Sequence, residues 1–319
     1  MLRGAVSKRG VALMGVCNVT PDSFSDGGAF LKTEDARAHV DALLREGADI
    51  VDIGGESTRP RSKPVSAQEQ LDRVLDIVGY AVHACTRLDR PACVSIDTQS
   101  SDVARACLAA GAAVVNDVSC AADPELARAV AEAEAAYVLM HSRGSMEKMA
   151  GFSIAEQAAY RDVVLDVCRE WKEAADRVKK AGVDPNGIVM DPGLGFAKNA
   201  RHSAELVERL NELVANLGVP IAVGASRKSF LKLADPDADP AERLGASIAV
   251  AILAVARGAQ MVRVHDVGVT RQAIDTMRLW GKDAMHLAAR SPLVVDARSQ
   301  SERGAHPPPS SRRGGGARA

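Results

Sequence analysis

Eight short apolar runs, each followed by a polar loop and an amphipathic stretch, recur along residues 11–264. They occupy residues 11–16, 49–53, 92–96, 113–116, 136–140, 187–190, 220–223 and 261–264. Apolar and polar residues do not alternate within a run, as expected for strands covered on both faces of a parallel sheet. Helical patterns lie between them, among others at 33–46, 67–84, 102–110 and 241–257, with a longer one over about 154–181 in the fifth crossover. Gly47, Gly111 and Gly258 each follow such a pattern just before the next strand, the usual helix stop. This alternation predicts an α/β fold, a single (β/α)8 TIM barrel, with a doubly wound open sheet as the alternative.

The 319 residues are enough for one barrel of about 250 residues and a tail. The expected boundaries are a lead over 1–10, a barrel over 11–289 and a disordered tail over 290–319. The tail holds a proline triplet and a glycine triplet and little apolar surface to bury. A net charge of −1 argues against a nucleic-acid or membrane-surface partner. No apolar stretch approaches the ~20 residues that span a bilayer. The basic start followed by an apolar run echoes a signal peptide, but no cleavage site follows and Pro21-Asp22 ends the run. A buried first strand accounts for the same residues. Six scattered cysteines without a CxxC pair fit reduced thiols in the cytoplasm. Seven histidines without an HxxxH or HxH pattern argue against a histidine-held zinc.

A TIM barrel builds its active site at the C-terminal ends of its strands. Here each run ends in polar residues: Asn18, Gly54-Gly55-Glu56, Asp97-Thr98, Asn116-Asp117, His141, Asp191, Ser226-Arg227-Lys228 and Arg263–His265. Taken singly, each has a bland explanation. Asp97 alone is most often a helix cap, a lone Lys or Arg a solvated charge, and His265 or His141 a structural histidine. Together, around one barrel mouth, they point to a site. Cations and glycine-rich turns suit phosphate oxygens. Carboxylates and amides suit a heterocycle with several N–H donors, and a planar arginine can stack on a ring. The residues alone therefore imply an enzyme for a phosphorylated, nitrogen-rich aromatic substrate.

At these positions the sequence resembles the dihydropteroate synthase family. The strings that carry the resemblance are residues 18–28, 54–60, 95–98, 116–119, 191–196, 226–229 and 263–267, in order and one per strand end. The resemblance implies that a dihydropterin diphosphate is joined to p-aminobenzoate, giving dihydropteroate and pyrophosphate by a dissociative, Mg2+-assisted reaction. It implies a pterin site of Asp97, Asn116, Asp191, Lys228 and Arg263. A diphosphate site would comprise Asn18, Thr58, Arg59, Arg263 and His265, with Asn18 also holding Mg2+. The p-aminobenzoate slot would be Phe24, Pro60, Phe196, Ser226 and Ser229, the last beside the helix opening after strand seven. Sulfonamides, which mimic p-aminobenzoate, would enter the same slot. Asp26, Asp97, Lys228, Arg263 and His265 would carry the chemistry, and the protein would be a homodimer.

The fifth loop departs from the family pattern: His141 is followed by Ser142-Arg143-Gly144 where the family has a methionine and a proline-containing segment. That puts the shape of this wall in question rather than the chemistry. The competing readings are a non-catalytic pterin-binding paralogue and a methyltetrahydrofolate methyltransferase-type barrel. Asn18, Asp26, Thr58 and Arg59 argue against the first, and the strings at 226–229 and 263–267 against the second.

Overall fold

The structure, a computed structural model, describes residues 10–19, 29–56, 65–144 and 160–280. Its strands are β1 Ala12–Asn18, β2 Ile50–Gly54, β3 Cys93–Asp97, β4 Val114–Asp117, β5 Ala136–Met140, β6 Ile188–Asp191, β7 Ala222–Val223 and β8 Met261–Val264. All neighbouring pairs are parallel, in the order β6-β5-β4-β3-β2-β1-β8-β7. A single bridge, Met190 to Ile221, joins the two ends of that series and closes the barrel. Closure excludes the open sheet. Strand β7 is shorter than the expected 220–223. Pro220 has no N–H to give a ladder, although its carbonyl accepts from Met190 N at 2.9 Å.

The helices are α1 Ala29–Glu46, α2 Ala67–Thr86, α3 Ser101–Ala109, α4 Pro124–Glu132, α5 Val163–Lys180, α6 Ala200–Glu208, α7 Leu210–Leu217, α8 Leu244–Ala256 and α9 Val267–Trp280. Side chains of Ser66, Ser100, Asp123, Asp162 and Asn199 cap their first turns. The fifth crossover corrects an expectation. Its helix starts at Val163 rather than near 154, because Asp162 Oδ1 accepts from Val164 N and Leu165 N and fixes the start there. At the other ends, Gly47, Gly111 and Gly258 take φ near +100° and the following N–H bonds back five residues, as in Ala112 N to Cys107 O at 3.0 Å.

Successive strand residues face opposite sides of the sheet. One set, including Ala12, Met14, Ile50, Val114, Val138, Val189 and Met261, fills the barrel interior. The other set, including Leu13, Val51, Ile53, Val115 and Leu139, packs under the helices in the main core. Burying each such aliphatic side chain contributes roughly 2 kcal/mol. The interior set becomes polar toward the C-terminal ends, where the loops leave the barrel. The proposed lead up to residue 9 and the tail lie outside the described residues. Among the described residues, no helix is long and apolar enough to cross a membrane.

Candidate active site

Parallel register sets Asn18, Gly54, Asp97 and Asn116 side by side across β1 to β4. Asp191 pairs with Met140 on the far wall. Arg263 reaches from β8 past β1, its Nε donating to Asp52 Oδ2 at 2.6 Å and its Nη2 to Asp97 Oδ2 at 2.7 Å. Asn116 Nδ2 donates to the same Asp52 oxygen at 3.2 Å. Burial works against the Arg263 charge, but the two carboxylates outweigh it and hold its pKa above the usual value. Burial pushes Asp97 up to about 7; Arg263 opposes that rise and Asp52 adds to it. Among the described residues, Asp52 Oδ1 and Asp97 Oδ1 are buried with no hydrogen-bond partner. An unmet buried acceptor costs about 1–3 kcal/mol, which a ligand N–H would relieve.

A second group faces this one. Asp191 Oδ1 accepts from Gly193 N at 2.7 Å, and Lys228 Nζ donates to Leu194 O at 2.8 Å. The ammonium of Lys228 stands 4.6 Å from the centre of the Phe196 ring, which packs with Val118 and Met140. Burial lowers Lys228 to about 8 and raises Asp191, while each charge partly offsets the shift of the other. The two groups meet at Gly224. A Cβ there would lie 3.7 Å from Arg263 Cβ and 3.8 Å from both Asp191 Oδ2 and Lys228 Nζ. The missing side chain thus leaves space bounded by one carboxylate, one ammonium and the stem of Arg263. At the rim, a Cβ on Gly54 would stand 3.4 Å from Asn18 Oδ1 and 3.5 Å from Asp97 Cβ.

His265 lies two residues beyond Arg263 on the same face, its Nδ1 3.0 Å from Ser226 Oγ. Ser229 opens a five-residue 3-10 turn, Ser229–Leu233, rather than an α-helix. The long helix of this crossover begins only at Leu244. That corrects the expected anion site at a helix opening there, since so short a turn has little macrodipole.

The structure therefore brings together Asn18, Asp97, Asn116, Asp191, Phe196, Lys228 and Arg263, with Ser226 and His265 as a pair beside them. Asp97 is not a cap; Ser100 caps the following helix. Phe24, Asp26, Thr58, Arg59 and Pro60 lie outside the described residues. Asp52 was not singled out from the sequence. Its signal was a carboxylate in phase with Gly54 on a buried strand, two residues below the rim. Lys198, fully buried seven residues past β6, was also missed.

The family model described as pterin binding enzyme matches residues 14–265. A dihydropteroate synthase of Mycobacterium leprae is 45% identical over 277 residues, covering 85% of this chain and 93% of the relative. The chain belongs to the dihydropteroate synthase family. It is accordingly a transferase of folate biosynthesis. The dihydropteroate synthase of Xanthomonas albilineans, solved with 4-aminobenzoic acid, superposes with a TM-score of 0.77 at 38% identity, covering 85% of this chain and 93% of that one. The synthase of Yersinia pestis, solved as a sulfonamide drug complex, gives 0.75 at 36% identity over 84% of this chain and 94% of that one. The matched stretch contains β1 from Met14 onward, the other seven strands whole and the polar residues at the strand ends.

Proposed function

We propose that this barrel mouth condenses a dihydropterin diphosphate with p-aminobenzoate and releases pyrophosphate, and that the pterin lies in the space over Gly224. The observation that carries this is the convergence of Asp191, Lys228 and Arg263 on that point, beside the unmet Asp97 oxygen. Asp191 and Asn116 offer acceptors and a carbonyl to the amino-pyrimidine edge, and Lys228 donates to the ring carbonyl. Arg263 has in-plane donors committed to Asp52 and Asp97, so its flat face is presented to the ring. Asp97, held beside Arg263, accepts from the second ring and steadies the positive charge that grows as the C–O bond to diphosphate breaks. The amine of p-aminobenzoate then attacks this carbon. Asp26 would assist from the first loop.

The leaving diphosphate would be held by Asn18, His265 and Arg263, together with Thr58 and Arg59. Ser226 keeps His265 in place. Mg2+ fits the donor set. Asn18 offers one hard oxygen over an uncluttered glycine, and no cluster of three His, Cys, Asp or Glu among the described residues would hold a metal alone. A magnesium ion content with one protein oxygen, waters and phosphate oxygens suits that single ligand. When bound, it would neutralise charge on the departing group. Phe196 and Ser229 would border the p-aminobenzoate slot, completed by Phe24 and Pro60. The expected homodimer finds support in a mainly apolar groove between α8 and α9, where Ile248, Ile252, Val269, Ala273 and Met277 line it together with Gln272 and Thr276.

The test is pyrophosphate release from the dihydropterin diphosphate with Mg2+. With p-aminobenzoate present, release should yield dihydropteroate in equal amount, and Asn18→Ala should raise the Mg2+ concentration needed by about tenfold. Pyrophosphate release that yields no dihydropteroate in the presence of p-aminobenzoate would refute the condensation.

A further inference from the structure

Beneath the pterin-side wall sits an ammonium group that the proposed chemistry does not use. Lys198 is fully buried and, among the described residues, has no carboxylate in hydrogen-bond reach. Its Nζ donates instead to His141 Nδ1 at 2.9 Å and to the carbonyls of Phe196, Gly193 and His141 at 3.0, 3.2 and 3.3 Å. Accepting at Nδ1 fixes the imidazole proton on Nε2, which donates to Glu170 Oε2 at 3.1 Å. Burial lowers Lys198 to about 7, with Asp191 opposing, so the charge is held at a cost. A group retained at a cost calls for a purpose.

The carbonyls that Lys198 gathers belong to the loop after β6, whose other groups face the pocket. Gly193 turns its N–H to Asp191 Oδ1, Leu194 turns its carbonyl to Lys228 Nζ, and Phe196 lays its ring under Lys228. The loop achieves this through left-handed turns at Gly193, Gly195 and Ala197, each disfavoured for a free chain or open only to glycine. One cation on the hidden side therefore draws the carbonyls inward and leaves Gly193 N and Leu194 O directed at the two charged pterin contacts. We infer that Lys198 is a positioning residue for pterin recognition, clamping the loop after β6 to His141 so that Asp191 and Lys228 are held in binding geometry. This rests on the pterin-site reading above.

The experiment compares the full-length parent with Lys198→Met and Lys198→Gln, each checked for folding by circular dichroism. KM for the dihydropterin diphosphate should rise about tenfold in the Met variant and less in the Gln variant, which keeps a donor. KM for p-aminobenzoate should rise much less, since of the clamped loop only Phe196 borders that slot, a split that general loosening of the fold would not give. An active parent whose folded variants keep the pterin KM overturns the role of Lys198. An equal rise in both KM values does the same, as does failure of both variants to fold, which would make Lys198 a determinant of the fold. A parent that makes no dihydropteroate overturns the pterin site itself.

Discussion

Arg263 shows how a charge is kept inside a barrel. Its side chain is largely enclosed and answered by two carboxylates, one from β2 and one from β3, at 2.6 and 2.7 Å. Removing one partner of a buried pair usually costs about 3–5 kcal/mol, since the other charge stays behind. Here Asp97 remains to share the load, so Asp52→Asn is expected to lower stability by about 2 kcal/mol in urea unfolding, with kcat/KM falling at least about tenfold as Arg263 loses its fixed plane. Unchanged stability and turnover would show that Asp97 alone orients the arginine. The sequence made Asp97 and Arg263 legible because they end their strands, where a barrel puts its chemistry. Asp52 was not legible in that way: it lies within a run, and only the register with Gly54 and Asp97 turns it inward. Lys198 gave even less signal. Seven residues separate it from its strand, and the left-handed turns that fold it back are a matter of backbone, not of spacing.

Among the elements, strands were the most legible and the β6 loop the least. Every strand was placed within two residues, because continuous apolar runs have few other uses in a chain with so many glycine-stopped helices. The fifth crossover was read too long, since helical periodicity before Val163 does not reveal that Asp162 will cap. The wall it supports carries a pH response. His141 is buried at the end of β5 and its pKa falls to about 4 from the ordinary 6.5, first through burial and then through the Lys198 ammonium, with Glu170 pulling the other way. Between those values the unfolded chain binds a proton that the folded one refuses. The stabilisation is therefore complete above pH 6.5 and is lost as the pH falls toward 4, on the order of 3 kcal/mol in all. Denaturant unfolding across that range should show the slope, and His141→Gln should flatten it. An equally steep slope in the variant would place the proton uptake elsewhere.

For the whole molecule, closure is the property that makes a site of scattered residues. The sheet is joined across its last gap by the Met190–Ile221 bridge, and this brings β6 and β7, with Asp191 and Gly224, round to face β1 to β4. A barrel of parallel strands has no exposed edges to defend, so its loops can be given over to recognition. Hydrophobic phasing below and charge above follow from the same two-residue period, and this is why fold and site could be read from one pattern. The claim that most needs proof is that this assembled mouth binds a pterin through Asp191. Calorimetric titration of the parent and of Asp191→Ala with 6-hydroxymethylpterin tests it directly. The parent should bind measurably and the variant about a hundredfold more weakly, the worth of about 3 kcal/mol of charge-assisted hydrogen bonds. Equal affinity in the two proteins would contradict it.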